Sequence, residues 1–319
     1  MTPASLDEAQ RALSESRGTV AFAGGRTEVP APPAADLLIE TTKLDRIVEY
    51  TPSDQVVTAE CGVTLAALQR ELAKHGQRLA LDPARADRAT LGGIVAANSY
   101  GPLRTRYGSV RDLIIGISVL RADGTRAKGG GKVVKTVAGF DLPKLMCGSR
   151  GTLGMIATAT FRVHPVPEET VTLLARGLEA AGVIELVRKV RRFQLEPAAM
   201  MAHYETDYDV WIRLEGFRAG VRAQREKLRD LAEAPWPAGE PSGSVRFGAL
   251  PTQLPQVEQT LRAPFWWYPT LGLGLANAAD PASFAAFGGW AGSPSPALPT
   301  LHQAVKSRLD PDTRLPRLW

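Results

Sequence analysis

The chain has 319 residues, with 44% apolar and 22% charged residues, values typical of a globular protein large enough for two domains. It contains no run of 18 apolar residues, so the sequence predicts no membrane-spanning helix. The net charge of +5 is dispersed along the chain rather than gathered with aromatic residues, and we therefore expect no nucleic-acid binding.

The N-terminal residues predict an amphipathic helix, then a strand and a glycine turn. The helix over residues 4–17 begins with acidic residues and lacks the apolar segment of a secretory signal, so we expect a cytoplasmic protein. The strand Val20–Ala23 runs into Gly24 and Gly25. Consecutive glycines after a strand expose backbone N–H groups that suit a pyrophosphate, although a plain turn explains them as well.

A second helix is predicted from Thr64, which is a suitable N-cap, to Gly76, a suitable C-terminal stop. Leu65, Leu68 and Leu72 fall on one face of this helix. The spacing therefore predicts a helix that packs its leucines into a core.

The stretch from residue 90 to 163 places glycines at nearly every break between short apolar runs. Glycine lets backbone approach a ligand closely, so this stretch suits a long ligand such as a dinucleotide. Turn glycines of a compact α+β sheet explain the same spacing equally well. Thr90 is a predicted N-cap, and the amides of Leu91, Gly92 and Gly93 in the first turn are expected to face an anion.

The remainder of this stretch predicts two strands and a short helix. Residues 114–121 are strand-like and lead into a hairpin turn at 122–124. Asp141 is a predicted cap for a short helix. The glycine-rich turn at 151–154 leads into a predicted strand over 155–163.

Two common nucleotide-binding motifs are absent. The segment Gly131–Val133 lacks the hydroxyl residue that a phosphate-loop NTPase needs after its lysine. The segment Gly272–Asn277 has the first two glycines of a Rossmann turn, but Asn277 replaces the third and Pro269 interrupts the preceding strand. Both nucleotide-binding classes are therefore disfavoured.

Prolines after residue 164 predict a domain boundary, which divides the chain into residues 1–165 and 166–319. Helices are predicted over residues 178–193 and 219–233, with strand-like residues between them. This alternation suits a small α+β domain.

Four stretches carry a resemblance to a known family. They are LDP at 81–83, TLGGIVAAN at 90–98, RYGSVRDLIIGISVLRADG at 106–124 and GGKVVKTVAGFDLPKLMCGSRGTLGMIATATFRVHP at 130–165. Together they resemble the PCMH-type FAD-binding domain of the vanillyl-alcohol oxidase and D-lactate dehydrogenase superfamily. Within it, the chain is most similar to the FAD-binding E subunits of bacterial glycolate oxidases.

The resemblance implies an α+β fold in which a two-subdomain PCMH-type FAD-binding domain, residues 1–165, precedes a smaller, C-terminally shortened α+β cap or substrate domain, residues 166–319. Several members bind the flavin covalently through a histidine after the first glycines, and Arg26 stands at that position here. The implied FAD is therefore non-covalent. The residues implied to contact it are Gly24, Gly25, Arg26, Thr27, Pro83, Thr90, Leu91, Gly92, Gly93, Ala96, Asn98, Gly101, Tyr107, Gly108, Gly151, Gly154 and Ile156.

Catalytic residues are less evident. His203 is a candidate base, but a packed structural histidine is the favoured interpretation. Beyond residue 165 only His203 and His302 occur, and their spacing predicts no metal site. Cys61 and Cys147 form no C-x-x-C pair and are expected to be buried reduced thiols.

The resemblance implies a subunit of a glycolate oxidase-type complex, which oxidises a small 2-hydroxy acid, glycolate to glyoxylate. Its implied partners are a second FAD-containing catalytic subunit and an iron–sulfur subunit, and these could hold it at the inner face of the cell membrane. The C-terminal DPDTRLPRLW replaces an Asn-Pro-Gly ending of related chains, which favours dependence on the partners. Two alternatives stay open: a self-sufficient D-2-hydroxy-acid (D-lactate) dehydrogenase and a non-catalytic assembly or electron-transfer module.

Overall fold

The structure is a computed structural model that describes residues 1–28, 31–132, 140–237, 241, 243, 245–277, 284, 290–291 and 299–316. Its chain divides into two compact units. The first contains residues 1–101, 108–166 and 296–319, and the second contains residues 102–107 and 167–295. None of the helices in the described ranges has both the length and the apolar character that crossing a membrane requires.

Helices and strands alternate irregularly along the described chain. The helices are α1 (Leu6–Glu15), α2 (Leu65–Ala73), α3 (Leu91–Ala97), α4 (Arg104–Tyr107), α5 (Val110–Leu113), α6 (Leu142–Met146), α7 (Ala180–Arg192), α8 (Arg218–Lys227), α9 (Leu254–Leu261) and α10 (Pro299–Leu309). The strands are β1 (Val20–Ala23), β2 (Leu37–Glu40), β3 (Ile47–Thr51), β4 (Val56–Glu60), β5 (Gln77–Arg78), β6 (Ile114–Leu120), β7 (Arg126–Gly130), β8 (Met155–Arg162), β9 (His164–Pro165), β10 (Glu169–Leu178), β11 (Ala199–Tyr204), β12 (Tyr208–Gly216), β13 (Ala232–Glu233), β14 (Val245–Gly248), β15 (Phe265–Tyr268), β16 (Leu273–Ala276) and β17 (Trp290–Ala291).

An antiparallel sheet with the strand order β3-β4-β8-β6-β7 forms the centre of the first unit. Strand β8 lies in the middle of this sheet and buries most of its residues, as expected for a strand covered on both faces. Helices α1, α2 and α3 contribute buried apolar residues to the same core. A parallel pair, β1 and β2, and a short antiparallel pair, β5 and β9, complete the unit in the described residues.

The local signals in this half of the sequence are largely confirmed. Thr64, Thr90 and Asp141 each accept a hydrogen bond from the backbone amide three residues along the chain, as predicted for N-caps. The predicted hairpin turn joins β6 to β7, and its Gly124 has a φ of +83°, which glycine adopts without a Cβ clash.

The second unit contains an eight-stranded sheet in the described residues, with the order β13-β10-β12-β11-β15-β16-β14-β17. Residues of α7, α8 and α9 pack with one face of its strands in a single apolar cluster. The predicted helix over 178–193 is confirmed as α7. The predicted helix over 219–233 is wrong beyond Lys227, because Ala232 and Glu233 pair with β10 as a strand.

Two segments belong to the other unit from the one that the predicted division at residue 165 assigns them to. Residues 102–107 belong to the second unit, where Leu103 packs with Ala198 and Ala199. Residues 299–316 belong to the first unit, because Arg314 donates hydrogen bonds to the carbonyl oxygens of Gly18 and Ala122. The division itself, between residues 166 and 167, lies beside the predicted boundary.

Candidate functional site

The first unit contains an open groove that encloses about 860 Å³ of space, including the part open to solvent at its mouth. It is lined by the loop after β1, the exit of β4, one side of α3 and the turn before β8. The sequence-predicted contact residues that line it are Gly24, Gly25, Arg26, Thr27, Gly92, Gly93, Ala96, Gly151, Gly154 and Ile156.

The glycines of the groove are of two kinds. A Cβ added to Gly25 would lie 1.8 Å from the carbonyl oxygen of Arg88, and one added to Gly24 would lie 2.3 Å from Thr90 Oγ1. These two glycines are needed for the close packing of the wall itself. A Cβ added to Gly93 would meet only Thr90 Oγ1, at 3.2 Å, so this glycine leaves open space beside the helix.

The start of α3 does not present free amides to the groove, and that prediction is wrong. The amide of Leu91 donates to the carbonyl of Val63, and the amide of Gly92 donates to the carbonyl of Cys61, both at 2.8 Å. The amide of Gly93 donates to the N-cap hydroxyl at 3.3 Å. The chain that leaves β4 runs beside the helix start and uses these donors, so no anion site is formed by them.

Thr90 lies behind the lining and joins two walls of the groove. Its hydroxyl oxygen accepts from the amide of Gly25 at 3.4 Å as well as from that of Gly93, and the residue is only 2% exposed. Thr90 therefore has a structural role behind the lining. In the same region, Thr41 Oγ1 donates to the carbonyl of Ala23 at 3.2 Å.

Other predicted contact residues do not belong to the lining in the part of the chain that is described. They are Pro83, Thr90, Leu91, Asn98, Gly101, Tyr107 and Gly108. Leu91 is fully buried in the core, and a Cβ on Gly101 would lie 2.1 Å from the carbonyl of Asp82. Tyr107 belongs to the second unit.

Arginines hold the loop after β1. Arg26 has a left-handed backbone, with a φ of +54°, and its guanidinium forms an ion pair with Glu40. Arg85 donates to the carbonyl of Thr27, and Arg88 donates to that of Gly25 at 3.5 Å. Arg85 and Arg88 therefore hold the loop through hydrogen bonds to its carbonyl groups.

Sequence reasoning missed several lining residues, among them Thr41, Cys61 and Arg150. No local signal marks Thr41 or Cys61, because long-range packing brings them to the groove. Arg150 lies within the glycine-rich turn and could have been identified from it. Burial raises the pKa of both the Cys61 and Cys147 thiols to about 12, so both stay protonated near neutral pH. Both cysteines are free, and Cys61 is buried as predicted, whereas Cys147 is only half-buried.

The candidate base His203 lies in the second unit, on β11. Its ring packs against Trp266 with 4.2 Å between the ring centroids, and Trp266 lies 6.3 Å from Trp211. Asp209 is its cross-strand neighbour on β12. In the described residues, no three His, Cys, Asp or Glu side chains form a group that could hold a metal ion.

Comparison with known proteins defines the class of this fold and site. Residues 1–130 match the sequence profile of an FAD binding domain, so the first unit is that of an FAD-dependent flavoprotein. A solved structure of alkyldihydroxyacetonephosphate synthase shares the fold, with a TM-score of 0.77 and 16% identity over 98% of this chain and 74% of that one.

The chain is 30% identical over 264 residues to glycolate oxidase subunit GlcE of Escherichia coli (strain K12), across 79% of this chain and 74% of that protein. It therefore belongs to the family of FAD-linked oxidoreductases that includes this subunit. Glycolate oxidase subunit GlcD of Bacillus subtilis (strain 168) is 31% identical over 206 residues. That match covers 63% of this chain, which spans less than half of GlcD, 44%.

Proposed function

We propose that this chain is the FAD-binding subunit of a glycolate oxidase-type complex, which oxidises glycolate or a similar 2-hydroxy acid. In this proposal it works in the cytoplasm with a second FAD-containing catalytic subunit and an iron–sulfur subunit, and those partners decide whether it lies at the membrane. The observation that carries the proposal is the similarity to GlcE over 79% of the chain.

The groove of the first unit fits the FAD of this proposal. Its glycines allow backbone to approach a flat, elongated ligand, and Gly93 leaves the space that such a ligand needs. The loop around Arg26 and the turn around Gly151 would hold the cofactor from two sides. When bound, FAD would supply a two-electron acceptor.

The chain's own residues would bind and shield this cofactor rather than attack it. Cys61 is a neutral thiol at the groove. By the resemblance, Arg26 occupies the position where several superfamily members have a histidine linked to the flavin. The FAD is therefore proposed to be non-covalent. Acid precipitation of the purified protein is expected to release the flavin into the supernatant.

Dependence on a partner is proposed because the chain has four histidines, at 75, 164, 203 and 302, which lie on separate parts of the chain. A base and a cation that hold a hydroxy acid must act together on one substrate. His203 instead packs on Trp266 within an aromatic group. The missing groups would come from the catalytic subunit.

Anaerobic reduction of the flavin by glycolate and by D-lactate tests this proposal, first with the chain alone and then with the co-expressed complex. We expect slow reduction alone and rapid reduction in the complex. Rapid reduction of the lone chain would instead favour the self-sufficient dehydrogenase. A complex that stays active when this chain carries the flavin-excluding Gly93→Val substitution would favour the assembly module.

A further inference from the structure

The segment from residue 299 to 316, here named the C-terminal strap, contains buried charged side chains that the proposed function does not use. Asp310 is 1% exposed and Arg314 is 8% exposed, although they lie near the end of the described chain. Lys306 forms an ion pair with Asp310 at 2.5 Å, and its side chain is only 12% exposed. Buried charges need partners, so their contacts indicate what the strap holds in place.

Lys306 reaches the turn that precedes β8. Its ammonium group donates to the carbonyl oxygen of Thr152 at 2.9 Å. Thr152 in turn donates to the carbonyl of Ser149 through its amide at 2.9 Å and through its hydroxyl at 2.6 Å. The turn that Lys306 contacts contains Arg150 and Gly151, which line the groove.

Asp310 fixes the ammonium group and the chain end at the same time. Its Oδ2 accepts from Lys306 and from the amide of Leu315 at 3.0 Å, and its Oδ1 accepts from the amide of Arg314 at 2.9 Å. Both carboxylate oxygens are therefore occupied by donors of the strap. These bonds tie the residues after α10 to the lysine of that helix.

Arg314 connects the strap to the start of β1. Its guanidinium donates to the carbonyl of Gly18 at 2.9 Å, and its own carbonyl accepts from the amide of Val20 at 2.7 Å. Val20 begins β1, and β1 leads directly into the loop at Gly24. The strap is thus bonded to both chain segments that continue into the walls of the groove.

We propose that Lys306 and Asp310 are positioning residues for FAD binding, because their ion pair holds the turn at 149–152 in the conformation that forms one groove wall. This inference rests on the proposed location of FAD in the groove. It predicts that loss of the Lys306 donor loosens this turn in the protein without FAD, and that FAD then binds more weakly.

The test compares Lys306→Met with Arg308→Met, which removes a positive charge from an exposed site on the same helix. FAD affinity is measured by titration of the full-length apoprotein, and amide hydrogen exchange is followed without FAD. For Lys306→Met we expect a Kd for FAD raised by about tenfold, which is 1.4 kcal/mol of binding free energy, and faster exchange confined to residues 149–154. The Arg308→Met control is expected to match the original chain in both measurements.

A second variant removes the unpaired buried charge that Lys306→Met leaves behind. The double change Lys306→Met with Asp310→Asn keeps a side-chain acceptor at 310 but still lacks the donor to Thr152, so the same two effects are expected. Exchange that rises over the whole first unit, an unchanged Kd for FAD, or failure of both variants to fold would each overturn the positioning role. Failure of the original chain to bind FAD would overturn the groove assignment instead, while the exchange comparison would still test the contact with the turn.

Discussion

The groove of the first unit and the aromatic face of the second unit are built in opposite ways. Six glycines and three alanines are among the residues that line the groove. The aromatic face is the side of the second sheet that carries Trp211, His203 and Trp266. Small residues therefore keep part of the groove open, whereas the aromatic face consists of large side chains.

This difference determines how each region responds to substitution. At some glycines, the backbone of a neighbouring segment fills the space that a Cβ would occupy. Such a glycine tolerates no larger residue, because neither backbone can move freely. A glycine on an exposed helix of the second unit has no such neighbour. The same change, glycine to alanine, should therefore have opposite effects in the two units.

The largest effect is expected for Gly25→Ala. The new methyl group would lie 1.8 Å from the carbonyl oxygen of Arg88, a distance that forces the loop and its neighbour apart. We expect the free energy of unfolding to fall by roughly 3 kcal/mol and FAD binding to be lost. Chemical denaturation and FAD titration measure the two effects, and a variant with unchanged stability would show that the two segments are less closely packed.

Gly93→Val tests the open space of the groove without disturbing the packing of its walls. Only Thr90 Oγ1 lies within 4 Å of a Cβ at this position, at 3.2 Å, so a branched side chain would extend into the open space of the groove. We expect apoprotein stability within about 1 kcal/mol of the original, because valine and glycine differ little in helix propensity. FAD affinity should fall by at least about a hundredfold, equivalent to 2.7 kcal/mol.

Gly93→Ala is the matched control for this change. It adds only the Cβ, and the loss of FAD affinity should be clearly smaller than for valine. Equal affinity in the glycine, alanine and valine forms would contradict the location of FAD beside α3.

The smallest effect, and the only stabilising one, is expected for Gly220→Ala in α8. Nothing lies within 4 Å of a Cβ at this position, and alanine is the better helix former. We expect a gain of about 0.5 to 1 kcal/mol in the free energy of unfolding and no change in FAD affinity. Thermal and chemical denaturation would reveal it, and a loss of stability would mean that this face of α8 has a neighbour.

Local features of this fold could be predicted from the sequence. The caps at Thr64, Thr90 and Asp141 and the turn at Gly124 depend on residues only a few positions apart, so their signals are present in short stretches of sequence. The glycine turns of the groove were identified for the same reason. The order of elements in the FAD-binding half came from resemblance rather than from these signals.

Features that depend on distant segments could not be predicted. The amides at the start of α3 looked free, but the carbonyls of Cys61 and Val63 use them, and no local pattern reveals a partner that far away. The guanidinium of Arg314 donates to the carbonyls of Gly18 and Ala122, which lie far away in the sequence, so no local pattern predicts these bonds. Helix propensity beyond Lys227 was likewise outweighed by the pairing of β13 with β10.

Amide hydrogen exchange of the full chain with and without FAD tests the central claim most directly, namely that FAD binds in the groove of the first unit. The account predicts that FAD slows exchange within residues 22–28, 92–97 and 150–156, the segments that contain most of the groove lining. It predicts no change in β11 and β12 of the isolated chain, which form the aromatic face. Protection confined to those two strands, or no protection at the groove when FAD is bound stoichiometrically, would contradict it.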